Sequence, residues 1–66
     1  MNITLNGKTY NIEKEDYLIN ILHSLNINPE NIIAEINGEI YTKEMFAEKL
    51  ICKNDVVELV KFVGGG

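Results

Sequence analysis

The chain has 66 residues, 45% of them hydrophobic, and ten acidic against six basic side chains give it a formal net charge of −4. A chain of this length forms one small domain that buries only about 60% of its unfolded surface, and this leaves little room for a deep active-site cavity. The acidic balance argues against nucleic acid as a partner, because phosphates would repel it. The single cysteine, Cys52, excludes an internal disulfide and favours a cytoplasmic setting. We find no signal-peptide or membrane-spanning pattern, and we expect no membrane association.

The first twelve residues predict a β-hairpin. Residues 1–5 alternate apolar and polar side chains, Asn6-Gly7 is a strong two-residue turn sequence, and the alternation resumes over residues 8–12. A two-residue loop sets Ile3 opposite Tyr10. That register places five apolar side chains on one face, as a core requires: Met1, Ile3, Leu5, Tyr10 and Ile12.

An amphipathic helix follows the hairpin. Asp16 is the predicted N-cap, and the helix is predicted to run from Tyr17 to Leu25 and to stop near Asn26, before Pro29. The apolar stripe that indicates it consists of Leu18, Ile21, Leu22 and Leu25, at the spacing of one helical face.

A second hairpin and a short helical turn come next. Residues 32–36 predict a strand that turns at Asn37-Gly38. A three-residue loop through Glu39 would place both Ile36 and Ile40 on the core side, and we expect that loop rather than a two-residue one. Thr42 is a candidate cap for a helical turn over residues 42–48, and three apolar side chains around it are expected to be buried: Met45, Phe46 and Leu50.

Residues 55–63 predict the final strand. Apolar side chains fall on both of its faces, which favours a central position beside a parallel first strand. The predicted fold is therefore α+β, a small mixed β-sheet with one main helix packed across one face. This is the β-grasp (ubiquitin-like) architecture, over residues 1–63, followed by a flexible glycine tail at residues 64–66.

The glycine tail is the first candidate functional site. Gly64, Gly65 and Gly66 directly follow a core strand without the polar spacer of a tag, although a frayed end is the plain alternative. A carboxylate becomes reactive once ATP adenylates it, and a chain end without side chains can enter a narrow nucleotide site of a partner. We therefore expect the Gly66 carboxylate to be the reactive group, with Gly65 and Gly64 required for access.

The outer face of the last strand is the second candidate. If Val57 and Leu59 face the helix, the side chains of Val56, Val60 and Phe62 point the other way. The alternative is that loops or the 42–50 segment cover them. We expect an exposed apolar patch that docks a partner, formed by Val56, Val60, Phe62 and Val63.

The other polar residues give no catalytic constellation. His23 lies opposite the apolar stripe and is expected to be a surface residue. Cys52 is expected to be a small residue that is either in the core or half-buried. Neither a phosphate loop nor a metal-ligand cluster is present in the sequence. We therefore expect a protein that is not an enzyme and that binds no cofactor or metal of its own.

Over its whole length the chain resembles the ThiS family, the small sulfur carriers of thiamine biosynthesis. The resemblance rests on the short length, the Asn37–Ile40 hairpin, the run from Asn54 to Leu59 and the ending Phe62–Gly66. It implies a terminal glycine, Gly66, that a ThiF-type adenylyltransferase activates with ATP. A sulfur-donor relay (a cysteine desulfurase or sulfurtransferase) then forms a thiocarboxylate, from which a ThiG-type thiazole synthase takes the sulfur.

Three other functions remain open from the sequence. The small subunit of molybdopterin synthase (MoaD-like) is a similar thiocarboxylate carrier but is usually longer, and a carrier for another sulfur pathway is equally conceivable. From a different class, the chain could be a β-grasp protein-interaction module. Such a module would have no use for a terminal triglycine.

Overall fold

The computed structural model describes residues 1–62, which contain a five-stranded mixed sheet, a two-stranded sheet and one α-helix. The elements are β1 (Asn2–Leu5), β2 (Lys8–Asn11), β3 (Asp16–Tyr17), α1 (Leu18–Ser24), β4 (Ile32–Ile36), β5 (Glu39–Tyr41), a 3-10 turn (Lys43–Met45), β6 (Leu50–Ile51) and β7 (Val56–Lys61). The large sheet has the order β2-β1-β7-β4-β5, and β3 pairs with β6. None of the helical segments described is long and apolar enough to cross a membrane.

Strand β7 occupies the centre of the large sheet. It runs parallel to β1, where Leu5 lies opposite Val57, and antiparallel to β4 from the Ile36–Val57 pair to the Ile32–Lys61 pair. The predicted central position and the parallel first strand are confirmed. The predicted span, 55–63, is longer than the observed strand, and its last residue lies outside the described part of the chain.

The first hairpin has the predicted register. Asn6 and Gly7 both have positive φ angles, 49° and 80°, as a two-residue type I′ turn requires. Ile3 lies opposite Tyr10, and the amino group of Met1 donates a hydrogen bond of 2.7 Å to the Ile12 carbonyl at the open end. Of the five apolar side chains expected on the core face, only Tyr10 is exposed, at 37%.

The second hairpin differs from the prediction. Ile36 lies directly opposite Glu39, so the loop contains only Asn37 and Gly38. The three-residue loop was wrong, and Ile40 faces the side away from the core, 58% exposed. The reason is that Asn37 and Gly38 adopt the same left-handed pair of conformations as Asn6 and Gly7, with φ angles of 52° and 86°, so the turn follows its Asn-Gly sequence and Ile40 is not needed in the core. Hydrogen bonds from the Asn37 side chain to Asp55 and from the Val56 amide to Asn37 support this loop.

Helix α1 covers one face of the large sheet. Its buried residues are Leu18, Ile21 and Leu22, and they join the sheet side chains in one core. The predicted end near Asn26 is confirmed, since Leu25 is the C-cap. The predicted N-cap, Asp16, is wrong: Tyr17 occupies that position, because Asp16 pairs with Ile51 in an extended bridge.

The segment between β5 and β6 closes the core. Thr42 caps the predicted turn, and Phe46, which follows it, is completely buried. Burial of Met45 and Leu50 was wrong, because they are 44% and 37% exposed. The sequence also gave no sign of β3 and β6, since a two-residue strand is too short to carry a periodic pattern.

The second hairpin provides a stability test with an internal control. Ile36 is 1% exposed, and replacing it by Ala should destabilise the protein by about 2–5 kcal/mol, because the change opens a cavity in the core. Replacing Ile40 by Ala (58% exposed) should cost less than about 1 kcal/mol. Urea unfolding of both variants measures the difference; equal losses would contradict the two-residue loop.

Candidate functional site: the outer face of the central strand

The predicted docking residues lie together on the face of β7 opposite α1. Val57 is buried and Leu59 packs against the core, whereas Val56, Val60 and Phe62 are 43%, 58% and 44% exposed. Neither the 42–50 segment nor another described residue buries them, so the expected exposure is confirmed. Their role in docking stays a prediction, and Val63 lies outside the described residues.

Neighbouring strands extend this outer face. Ile33 lies opposite Val60 on β4, and Ile40 on β5 adds a further exposed apolar side chain. Neither residue was predicted for this face: Ile33 belongs to a continuous apolar run in the sequence, and Ile40 was expected in the core. Exposed apolar side chains gathered on one face usually mark an interaction site.

Two carboxylates lie side by side in the middle of the outer face. Glu35 and Glu58 are exposed and lie directly opposite each other in the β4–β7 ladder. Like charges in this position repel each other and destabilise a sheet. Among residues 1–62, neither glutamate takes part in a salt bridge. The face is therefore apolar with a negatively charged centre.

A shallow hollow of about 320 Å³ lies at the end of the face where Phe62 is found. Ile33 and Phe62 form its apolar wall. At its rim the Lys43 ammonium group lies 2.8 Å from the Glu30 carboxylate, and this contact raises the pKa of Lys43. The hollow therefore has an apolar wall and a charged pair at its border.

Phe62 is the last residue that the structure describes. Its amide donates a hydrogen bond of 2.8 Å to the carbonyl of Asn31, which keeps this end of the chain in line with β4. Gly64, Gly65 and Gly66 lie outside the described residues, and their predicted role is untested. The outer face thus ends within a few residues of the predicted reactive carboxylate.

The two remaining candidate residues, His23 and Cys52, lie outside any group of potential metal ligands in the described part of the chain. His23 is exposed on α1 and Cys52 is half-buried, as predicted. Within the part of the chain that the structure describes, no three His, Cys, Asp or Glu side chains are grouped so as to hold a metal. The pKa of the Cys52 thiol is raised, first because the Glu15 carboxylate accepts a hydrogen bond from the protonated thiol and then because burial disfavours the thiolate.

Comparison with known proteins agrees with this geometry. A model of the ThiS family matches residues 3–66. The chain is 40% identical over 65 residues to sulfur carrier protein ThiS of Bacillus subtilis, and the match covers 97% of this chain and 98% of that protein. The crystal structure of a thiamine biosynthesis protein (ThiS) from Geobacter metallireducens superposes with a TM-score of 0.87 at 32% identity, covering 100% of both chains.

A larger protein also contains a similar segment. A thiazole synthase of Magnetococcus marinus is 32% identical to this chain over 66 residues. The match covers 100% of this chain but only 20% of the synthase. The chain thus corresponds to about a fifth of that relative.

The surroundings of Cys52 predict a poorly reactive thiol. A raised pKa leaves less thiolate at a given pH, so iodoacetamide should alkylate Cys52 more slowly than it alkylates an unstructured cysteine peptide at pH 8. Glu15→Gln should lower the pKa and accelerate the reaction, whereas Glu13→Gln should leave the rate unchanged. Alkylation rates followed by mass spectrometry from pH 7 to 10 measure the shift; identical profiles for the native protein and the Glu15 variant would contradict this account.

Proposed function

Because this chain belongs to the ThiS family, we propose that it is a sulfur carrier of thiamine biosynthesis and that the Gly66 carboxylate carries the sulfur. The family match extends to residue 66 and so includes the glycine tail. The observation that supports the proposal most directly is the exposed apolar face of β7, because the same strand leads into those glycines. A partner that binds the outer face of β7 binds within a few residues of the Gly66 carboxylate in the sequence.

The proposed chemistry has two steps. An oxygen of the Gly66 carboxylate attacks the α-phosphorus of ATP in a ThiF-type adenylyltransferase, which forms an acyl adenylate and releases pyrophosphate. A hydrosulfide equivalent from a sulfur-donor relay then attacks the acyl carbon, and AMP leaves with the electron pair of the broken C–O bond. The product is a thiocarboxylate. The carrier itself binds no cofactor, since the partner holds the ATP.

We propose that the residues of this chain position the Gly66 carboxylate for the partner and do not catalyse the reaction. Val56, Val60 and Phe62 provide the apolar docking surface beside the tail. Gly64 and Gly65 let the chain end pass through a narrow entrance, because they have no side chains. We therefore propose that the chain is a cosubstrate and not an enzyme.

We propose a ThiG-type thiazole synthase as the recipient of the sulfur. The similarity between this chain and one fifth of a thiazole synthase supports this assignment, since a carrier segment inside the same polypeptide places sulfur donor and acceptor together. We place the reaction in the cytoplasm, where ATP is available and Cys52 stays reduced.

Intact-mass analysis tests the carrier function. After incubation with ATP, a ThiF-type adenylyltransferase and a sulfur source, the chain should gain the mass difference between one sulfur and one oxygen atom. Adding one alanine after Gly66 should abolish both AMP transfer and sulfur transfer, because the carboxylate no longer sits at the required distance from the docking face. The melting temperature should not change. AMP transfer to the extended chain would contradict the proposed use of the Gly66 carboxylate.

The docking role of the outer face can be tested with two matched aromatic residues. Phe62 and Tyr17 are both 44% exposed, but only Phe62 lies beside the tail. Phe62→Asp should weaken binding to the adenylyltransferase by at least about tenfold, since buried aromatic anchors dominate interfaces. Tyr17→Asp should change it less than about threefold.

Calorimetric titration gives both affinities, and thermal melts show whether each variant is folded. Equal affinities for two folded variants would remove the outer face from the proposed interface.

A further inference from the structure

Strand β7 extends beyond β1, so part of one of its edges has no neighbouring strand. β1 pairs with β7 only at Thr4–Val56 and Leu5–Val57, and the chain then turns at Asn6-Gly7. β7 continues to Lys61, with β4 beside it on the other edge. Within the described chain, residues 58–61 therefore have a strand on one side only.

The register identifies which main-chain groups face the open side. The Phe62 amide bonds to the Asn31 carbonyl, so the even-numbered residues of β7 hydrogen-bond with β4. The odd-numbered residues face β1: the Val57 carbonyl accepts a bond of 2.9 Å from the Asn6 amide, and the Leu59 amide donates one of 2.7 Å to Asn6 Oδ1. The carbonyl of Leu59 and the amide of Lys61 come next on this edge.

These two groups have no hydrogen-bond partner among residues 1–62. The side chain of Asn6 completes the ladder at Leu59, and the ladder ends there. The surroundings are open, because Asn6, Gly7 and Lys61 are all exposed and a Cβ atom added to Gly7 would meet nothing within 4 Å. An exposed strand edge with unpaired donors and acceptors is a template for another strand.

We propose that the edge at Leu59–Lys61 receives an extended main-chain segment of the enzyme that adenylates Gly66, which adds to the large sheet as a sixth strand. This inference rests on the proposed carrier function and specifies how the partner holds the tail. The Lys61 amide donates to the added strand, and the Leu59 carbonyl accepts from it.

The position of Asn6 and Gly7 determines where the added strand can go. The hairpin blocks the edge on one side, so a guest strand that pairs with Leu59 and Lys61 can continue only toward the C-terminus. In that direction the sequence offers three glycines, which provide no side chains for recognition. Main-chain hydrogen bonds remain available, and a β-ladder fixes the register of the chain every two residues. A fixed register sets the carboxylate at one distance from the ATP, as an oriented reaction requires.

A second copy of this chain fits the edge poorly. Antiparallel pairing about a two-fold axis at Val60 would set Lys61 of one copy opposite Leu59 of the other. The next pair would set residue 63 opposite Val57, whose carbonyl is already bonded to Asn6. Two chains that each carry a net charge of −4 also repel each other.

Two substitutions at Lys61 separate its amide from its side chain. Lys61→Pro removes the amide hydrogen, whereas Lys61→Ala keeps it. The β4 ladder does not use this amide, so proline should leave the sheet intact. We expect Lys61→Pro to bind a purified ThiF-type adenylyltransferase about tenfold more weakly than Lys61→Ala does, through loss of one hydrogen bond and obstruction of the edge. Equal affinities would overturn the inference.

If the proline variant does not fold, a variant with an ester bond in place of the Lys61 amide tests the same hydrogen bond. Cys52 allows a synthetic fragment of residues 52–66 to be ligated to residues 1–51 without changing the sequence. Replacing the amide of Lys61 by an ester oxygen should weaken binding about three- to tenfold. The same replacement at Lys53, an exposed loop residue, is the matched control and should have no effect. An ester at Lys61 that binds as tightly as the control would overturn the inference.

The wild-type chain distinguishes the two proposals. If the enzyme transfers no AMP to it, the carrier function fails. If AMP is transferred and the Lys61 variants bind as their controls do, only the added strand is overturned. Hydrogen exchange identifies the occupant: we expect the Lys61 amide to exchange at least tenfold more slowly in the complex than in the free chain. Slow exchange that depends on chain concentration without enzyme would show a second copy on the edge and would overturn the proposal.

Discussion

The fold depends on one strand, β7, that is covered on only one face. It pairs with β4 from Val57 to Lys61 and with β1 only at Val56 and Val57. β7 lies between β1 and β4, and two of its side chains join the core: Val57 is 1% exposed and Leu59 packs against the buried cluster. Burial of such a side chain stabilises a domain by about 1.5–3 kcal/mol, which is a large share of the stability of a small protein. The short helix α1 covers that one face and cannot cover the other. The even-numbered side chains of β7 therefore remain at the surface although several of them are apolar.

The uncovered face has two features that do not stabilise a sheet: exposed apolar side chains and like charges on neighbouring strands. Val60 and Phe62 are exposed, and Glu35 and Glu58 oppose each other across two central strands. Neither feature contributes to the core. Such local conflicts are expected where a protein interacts with something else, because selection there acts on the complex rather than on the free domain. Val60 and Phe62 lie shortly before the glycine tail in the sequence, which agrees with the carrier function.

Two asparagines position β7 by similar means. Asn6 and Asn37 are each the first residue of a tight turn, with positive φ angles of 49° and 52°. Their side-chain oxygens accept hydrogen bonds from β7, Asn6 from the Leu59 amide at 2.7 Å and Asn37 from the Val56 amide at 2.9 Å. The turns that reverse the neighbouring strands thus also hold the central strand, which precedes the glycine tail in the sequence.

The sequence alone determined the features that are encoded by local periodicity. The first hairpin, the apolar stripe of α1, the central place of β7 and the outward direction of Val60 and Phe62 all follow from spacings of two or about three and a half residues. The glycine tail was also recognised from the sequence alone, because three consecutive glycines have no place in a core strand.

Only the tertiary structure decided the second hairpin and the small β3–β6 sheet. Asn37 is hydrogen-bonded to Asp55 and to the Val56 amide, 18 and 19 residues away, and these distant contacts support the two-residue loop that turns Ile40 outward. A two-residue strand such as β3 exists only because β6 lies beside it. Contacts of this kind leave no local pattern, because the hydrogen bonds that fix them join residues far apart in the chain.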